Sequence, residues 1–399
     1  MKRIRPPSVF LLDTEGAFFL QIIRHLSPLF IFEFILKYQM SKPFFLSKKL
    51  IIALILVGLV FGLWCVYTTR PKPKTVYESF YYWKNTLSKT DLDTVMLGQL
   101  KIKKLYIKLF DVGWSPNDGV VPVSSLVGNL SVIPSSIENI PTVFITNETF
   151  LKTDKNAIEA LAQKVFLKIQ SFYTTSDTPS VSRFEAVKEV QIDCDWSEKT
   201  REKYFDFLKK LKTFVSPTVK ISATIRLHQV KYRSKTGVPP VDKGMLMMYN
   251  VLNPREFSER NSIFDAEEVS LYLKKQKVYP LPLDVVLPLF SWAITYRHNK
   301  FFELINGMTR AEADNAKWLE KNNKVYMFNT DTTIQNHYFR IGDLLKIEDS
   351  SPSVFSTSLE LARPIIKNDT LNISFFHYDS KLIHEITPTT IENVYQSWR

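Results

Sequence analysis

With 399 residues, 45% of them hydrophobic and 13% aromatic, the chain can bury a sizeable core, which excludes wholesale disorder. Its net charge of +12 is unevenly placed: residues 1–74 carry eleven Lys/Arg against three acids, so +8 sits there and the other 325 residues hold only +4. A nucleic-acid-binding stripe is thereby excluded as the source of the charge, which instead brackets an apolar segment.

That segment is "LIIALILVGLVFGLWCVY", residues 50–67, eighteen residues without a charge and close to the roughly 20 that span a bilayer. Lys48 and Lys49 precede it, and Arg70, Lys72 and Lys74 follow. Large residues at its end (Trp64, Val66, Tyr67) argue against signal-peptide cleavage, and Trp64 fits poorly the small residue that lipidation of Cys65 would need. The expectation is an uncleaved, single-pass anchor in the lipid bilayer, with the carboxyl-terminal part outside the cytoplasm. Residues 1–49 form a basic amino-terminal segment. Within it, residues 1–39 read either as an extension upstream of a start at Met40 or as a second membrane-associated helix interrupted by Glu33.

Residues 68–75, containing "RPKPKT", make a stiff proline linker, and 76–399 are expected to fold as one domain. Its first element, "VYESFYYWKNTL", reads as helical. Apolar strand candidates then follow at 104–114, 140–147, 187–196, 219–229, 244–250, 281–292, 324–329 and 370–378. Amphipathic helical patterns lie at 155–173, 198–214, 265–276 and 353–366, while "SWAITYRHNKFFELI" reads as a hairpin with "RHNK" at its tip. Near-continuous apolar strands alternating with helices predict a (β/α)8, TIM-barrel-like α/β domain behind the transmembrane helix, with an open doubly wound sheet as the runner-up. No glycine-rich phosphate loop follows any strand, Gly numbering only 11 in the chain, so no nucleotide cofactor is expected. No H-x-H, HExxH or CxxC spacing occurs, so no metal is expected either.

In such a barrel the chemistry sits at the carboxyl ends of the strands. The residues there are Asp111 and Trp114, Asn147, Asp193, Asp195 and Trp196, His228, Tyr249 and Asn250, Trp292, and His377 with Tyr378. Asp193 and Asp195 are the sharpest signal. Two apart on a strand, they share a face, and adjacent carboxylates repel and lose solvation when buried. Asp195 could instead cap the helix that begins near Glu198. Carboxylates, imidazoles, an amide and tryptophan faces around one pocket suit a carbohydrate: Asp193, Asp195 and Asp111 as catalytic candidates, and Trp114, Trp196, His228, Tyr249, Asn250, Trp292 and His377 as substrate contacts. Cys194 has no intradomain partner, so no disulfide is expected.

The segments "KKLYIKLFDVGW", "VKEVQIDCDWSEKTREKYFDFLKKLK" and "KISATIRLHQ" resemble a family of exported bacterial proteins with a glycosidase-like barrel and, more distantly, the chitinase-like glycoside hydrolases. The latter carry D-x-x-D-x-D-x-E on the corresponding strand, the last Glu being the general acid and the preceding Asp assisting attack by the substrate's N-acetyl group. Asp193 and Asp195 match the last two acids of that pattern, whereas Ser197 stands at the Glu position and Val190 at the first Asp position. Two function classes stay open: a glycoside hydrolase-like enzyme using Asp193 or Asp195 with a second acid such as Asp111, and a non-catalytic glycan-binding or cell-envelope interaction protein on the same barrel.

The anchor has a direct test. Protease added to intact cells or spheroplasts should digest residues 76–399 and leave a short membrane-bound fragment; full protection of the domain would overturn the orientation.

Overall fold

The computed structural model describes residues 75–174 and 183–399, together with Gly58. Apart from Gly58, the expected anchor at 50–67, the segment before it and almost all of the linker therefore lie outside the described residues. No helix among those described is long and apolar enough to cross a membrane.

Eight parallel strands close on themselves: β1 (Thr75–Tyr82), β2 (Lys104–Ser115), β3 (Glu138–Ile145), β4 (Glu189–Asp193), β5 (Lys220–Arg226), β6 (Lys243–Met247), β7 (Leu283–Pro288) and β8 (Thr370–Phe376). Each pairs with its sequence neighbour, and β1 pairs with both β2 (Ser79 opposite Lys104) and β8 (Thr75 opposite Thr370), which seals the barrel. Five longer helices pack on its outside: α1 (Ile158–Ser171) after β3, α2 (Arg201–Phe214) after β4, α3 (Ala266–Leu273) after β6, α4 (Pro352–Ala362) before β8 and α5 (Pro388–Gln396) after it. The four expected helical patterns correspond to α1–α4. On α2, the buried residues Tyr204, Phe207, Leu208 and Leu211 recur at helical spacing and face the barrel wall.

Two sequence expectations fail in a linked way. "VYESFYYW" is not helical but supplies β1; its aromatic and β-branched residues suit a strand buried on both faces. Phe80 joins the core under the helices while Tyr81 points into the barrel. The expected strand at 324–329 is Val325–Phe328, which belongs to no barrel wall. It lies in a five-stranded antiparallel sheet inserted between β7 and α4, in the order Lys300–Asn306, Trp292–Arg297, Leu344–Glu348, Val325–Phe328, Leu319–Asn322. A short apolar run carries no record of whether its partner is parallel or antiparallel. Within the insertion, the hairpin at "RHNK" is present, with His298 and Asn299 at φ of 51° and 59°, the twist a two-residue turn needs.

Strict alternation also breaks after β2, which runs straight into an antiparallel partner, Gly119–Ser125, and after β5, where only short helices (Leu227–Lys231, Arg233–Thr236) precede β6.

Trp196, expected at the pocket, is core instead. Its ring is fully buried and stacks on Tyr204 of α2 at 5.1 Å between centroids, and its indole N–H donates to the Thr236 carbonyl at 2.9 Å. It lies past the strand's end and joins the same helix-facing core as Cys194. Trp196→Phe removes that hydrogen bond and strands the Thr236 carbonyl, which should cost about 1–3 kcal/mol in urea unfolding; an unchanged midpoint would show that the indole is not held there.

Candidate active site at the barrel mouth

Alternation along β4 sends Val190, Ile192 and Cys194 outward into the helix-facing core and Gln191 and Asp193 inward. Asp193 is the strand's last residue, and the register sets it level with Asp111 two strands away: Asp111 lies opposite Phe144 on β3, and Phe144 opposite Asp193. Thr224 of β5 donates its hydroxyl to Asp193 Oδ1 at 2.6 Å. Asp195 sits on the rim, its side chain 43% exposed, where Arg226 at the end of β5 grips it through both oxygens, Nε to Oδ1 at 2.5 Å and Nη2 to Oδ2 at 2.9 Å. This fork-on-fork contact is a strong, geometrically specific pairing. Asp195 is therefore no helix cap: α2 has Thr200 at its cap position and no side-chain capping bond.

Burial pushes the Asp193 carboxyl up to about 6, reinforced by the charge of Asp195 and opposed by Arg226 and by the Thr224 hydroxyl. Asp111 adds to the rise, which places its charge within electrostatic reach. Asp111 itself stands at an irregularity of β2, where Oδ2 accepts from Lys108 Nζ at 3.1 Å and from the Ser124 hydroxyl, while Oδ1 is buried with no partner. Across the mouth, the Tyr249 hydroxyl is likewise buried and unpartnered. Burial raises its pKa, with Arg226 pulling the other way.

The remaining half of the mouth is aromatic. Tyr81 and Trp83 from β1 and its end, Tyr249 after β6, Phe290 and Trp292 after β7, and Phe376 closing β8 pack into one cluster. Phe376 stacks on Tyr249 at 5.2 Å and meets Trp83 at 5.3 Å, while Phe290 meets Trp292 edge-on at 5.3 Å. Lys108 joins the two halves, its ammonium 5.6 Å from the Trp83 ring while it bonds Asp111.

The other sequence candidates scatter. His228, half-buried with its pKa lowered by burial, lines a small rim cavity with Arg226, Tyr249, Asn250 and Tyr272. Asn250 is exposed at φ 56°. Trp114 lies on the β2 extension under the Lys152 ammonium, 4.8 Å away. Asn147 accepts from the Thr200 hydroxyl at 2.6 Å, tying the end of β3 to the turn before α2. Ser197 serves that same turn, its N–H donating to Thr200 Oγ1 at 2.9 Å. Burial lowers the pKa of His377, with Asp379 opposing. Arg226, Thr224, Lys108, Trp83, Phe290 and Phe376 escaped sequence reading, although "SATIR" ends an apolar strand on an arginine in step with Thr224, which is a usable signal.

A wide depression at the opposite, amino-terminal end of the barrel, bordered by Lys104, Glu138 and Asn139, contains none of these acids, so convergence of chemistry rather than width marks the site. Among the described residues, no group of three or more His, Cys, Asp or Glu is placed to hold a metal ion.

No protein-family model matches the chain, and no curated protein matches it either. Solved structures do. The Bacillus megaterium QM B1551 spore cortex-lytic enzyme SleL is 10% identical with a TM-score of 0.50, covering 82% of this chain and 76% of its own. The carboxyl-terminal domain of a candidate chitinase from Desulfitobacterium hafniense DCB-2 is 10% identical at TM-score 0.49, covering 81% and 100%. The chitinase ChiB of Flavobacterium johnsoniae is 14% identical at TM-score 0.46, covering 81% and 95%. At these identities the likeness concerns fold alone, and the described domain shares its barrel fold with the spore cortex-lytic enzyme.

Proposed function

We propose that this protein is a membrane-anchored, glycoside hydrolase-like barrel that takes a saccharide at its mouth. The observation that carries the reading is the two-sided mouth: an aromatic wall from β1, β6, β7 and β8 faces a carboxylate wall from β2 and β4. A sugar ring has the matching duality, with C–H faces that stack on aromatics and hydroxyls that both donate and accept. The two buried, unpartnered atoms have complementary needs, Asp111 Oδ1 for a donor and the Tyr249 hydroxyl for an acceptor, and one hydroxylated ligand can meet both.

Within this reading Asp193 is the proton donor to a leaving glycosidic oxygen. A carboxyl held at about 6 keeps its proton available near neutral pH, which an ordinary aspartate does not. Asp111 and Asp195 supply the second carboxylate. The spore cortex-lytic function of the B. megaterium neighbour makes an envelope polysaccharide the first substrate class to try. The alternative is binding without cleavage. It is favoured by the prior engagement of Asp195 with Arg226 and of Asp111 with Lys108, and by Ser197 at the position where the chitinase-like pattern has its Glu.

A glycan array probed with the wild type, Asp193→Asn, Asp195→Asn and Asp111→Asn tests the site, with hydrolysis of any bound glycan followed by chromatography. Asp193→Asn should abolish cleavage; unchanged binding and cleavage in all three variants would end the reading. The same Asp193 variant has an independent stability signature. Because the folded-state pKa of Asp193, about 6, lies above its ordinary value of 3.8, its contribution to stability is fully present below pH 3.8. It is then lost as pH rises toward 6 and does not return above it. Asp193→Asn should therefore match the wild type in melting temperature near pH 4 and exceed it at pH 7.

A further inference from the structure

The inserted sheet reaches the mouth through one carboxylate. Glu348, at the end of the strand that lies beside Trp292–Arg297, is 2% exposed. It accepts from the Trp292 indole N–H at 2.8 Å, from Lys346 Nζ at 2.6 Å and from the Ser262 hydroxyl. Lys346, itself buried, also donates to the carbonyls of Ser258 and Arg260, both at 2.6 Å. Residues 250–263 belong to the loop that follows Tyr249, and Asn250 closes that loop by donating its N–H to the Ile263 carbonyl at 2.8 Å. One buried ion pair thus fastens the insertion, the loop after β6 and the Trp292 ring to each other.

We infer that Glu348 is a positioning residue: it fixes the half-buried Trp292 ring at the rim of the aromatic wall, so that the insertion contributes a platform for a further sugar ring of an oligosaccharide. The inference rests on the saccharide reading of the mouth. The geometry supports it in two ways. Trp292 is carried by the insertion's first strand and not by a barrel strand, and it meets the cluster through Phe290. The Glu348 contact uses the N–H edge of the indole and so covers neither ring face itself. An indole held by its edge in this way loses rotamer freedom before any ligand arrives, which strengthens stacking without adding a ligand contact. The carboxylate also carries more than one bond's worth of organisation, because its three donors come from three different segments.

Truncating Glu348 alone would bury Lys346 without a counter-charge and threaten folding, so the test uses two paired variants in the full-length protein. Lys346→Met with Glu348→Gln removes both charges but keeps a side-chain acceptor for the indole. Lys346→Met with Glu348→Leu removes the acceptor as well. The probes are chitotetraose and free N-acetylglucosamine, measured by calorimetry, and acrylamide quenching of Trp292 fluorescence without ligand, isolated by subtracting a Trp292→Phe counterpart. Relative to the Gln pair, the Leu pair should bind chitotetraose about tenfold more weakly, as expected for one lost positioning bond. It should keep its affinity for the monosaccharide and show more readily quenched Trp292. Equal quenching and equal affinity in the two pairs would overturn the inference. If wild-type protein binds no glycan, the saccharide reading falls, and the quenching comparison still decides whether Glu348 holds the ring.

Discussion

Closing eight parallel strands into a barrel forces every second side chain into one shared interior, and here that interior is polar over much of its depth. Lys243 is the key to tolerating this. Its ammonium lies 2.5 Å from Asp284 and 2.9 Å from Glu189, and it draws on β4, β6 and β7 at once. Around it, the Ser222 hydroxyl donates to Glu189 at 2.6 Å, Asn372 donates to Asp284 at 2.6 Å, and Lys104 lies 3.5 Å from Glu138. Buried charges of this kind are tolerable only when each finds its partners, because desolvation otherwise outweighs attraction. The two acids on Lys243 together hold its ammonium pKa well up, against burial that would lower it.

Toward the mouth, the acids are no longer gathered on one ammonium. Gln191 bridges the two regimes, accepting from Tyr81 at 2.6 Å and donating to Ser222 at 3.3 Å. Two residues further along the strand, burial first and the neighbouring carboxylate of Asp195 second raise the proton affinity of Asp193, against the Thr224 hydroxyl that donates to it. Buried atoms without a partner occur at both levels, Asn372 Oδ1 in the interior and Asp111 Oδ1 and the Tyr249 hydroxyl at the mouth, and only those at the mouth are ones the proposed saccharide would meet. The pairing of Arg226 with Asp195 limits the electrostatic penalty of two acids so close in the chain.

Division of the mouth into aromatic and acidic walls follows from strand order. The aromatic residues lie on β6, β7, β8 and β1, which are contiguous around the closed sheet, and the acids lie on β2 and β4. The insertion widens the aromatic side. It has its own small core (Ala293, Tyr326, Phe328, Phe339, Leu345) and returns to the barrel through the buried pair of Lys346 and Glu348. A sheet built on local hairpins can be inserted between β7 and α4 because its pairings are satisfied within itself, leaving the barrel's hydrogen-bond ladder unbroken.

By itself, the sequence determined the class of fold, seven of the eight barrel strands, the helices α1–α4, the "RHNK" hairpin and the two acids at the end of β4. Each of these is written in local periodicity: an apolar run, a helical stripe, or a pair of like side chains two residues apart. The tertiary structure alone decided that "VYESFYYW" is the strand that seals the barrel and that 324–329 belongs to an antiparallel insertion, since pairing partners lie far away in the chain. It also decided that Trp196 is core while Trp83, Phe290 and Phe376 line the mouth, because facing depends on where a strand stops alternating. Asp193 and Asp195 look equivalent in sequence. Burial beside Thr224 for one, and the grip of Arg226 at the rim for the other, separate them, and both partners come from a strand some thirty residues further on. Charge compensation acts through space, so no local pattern could have announced it.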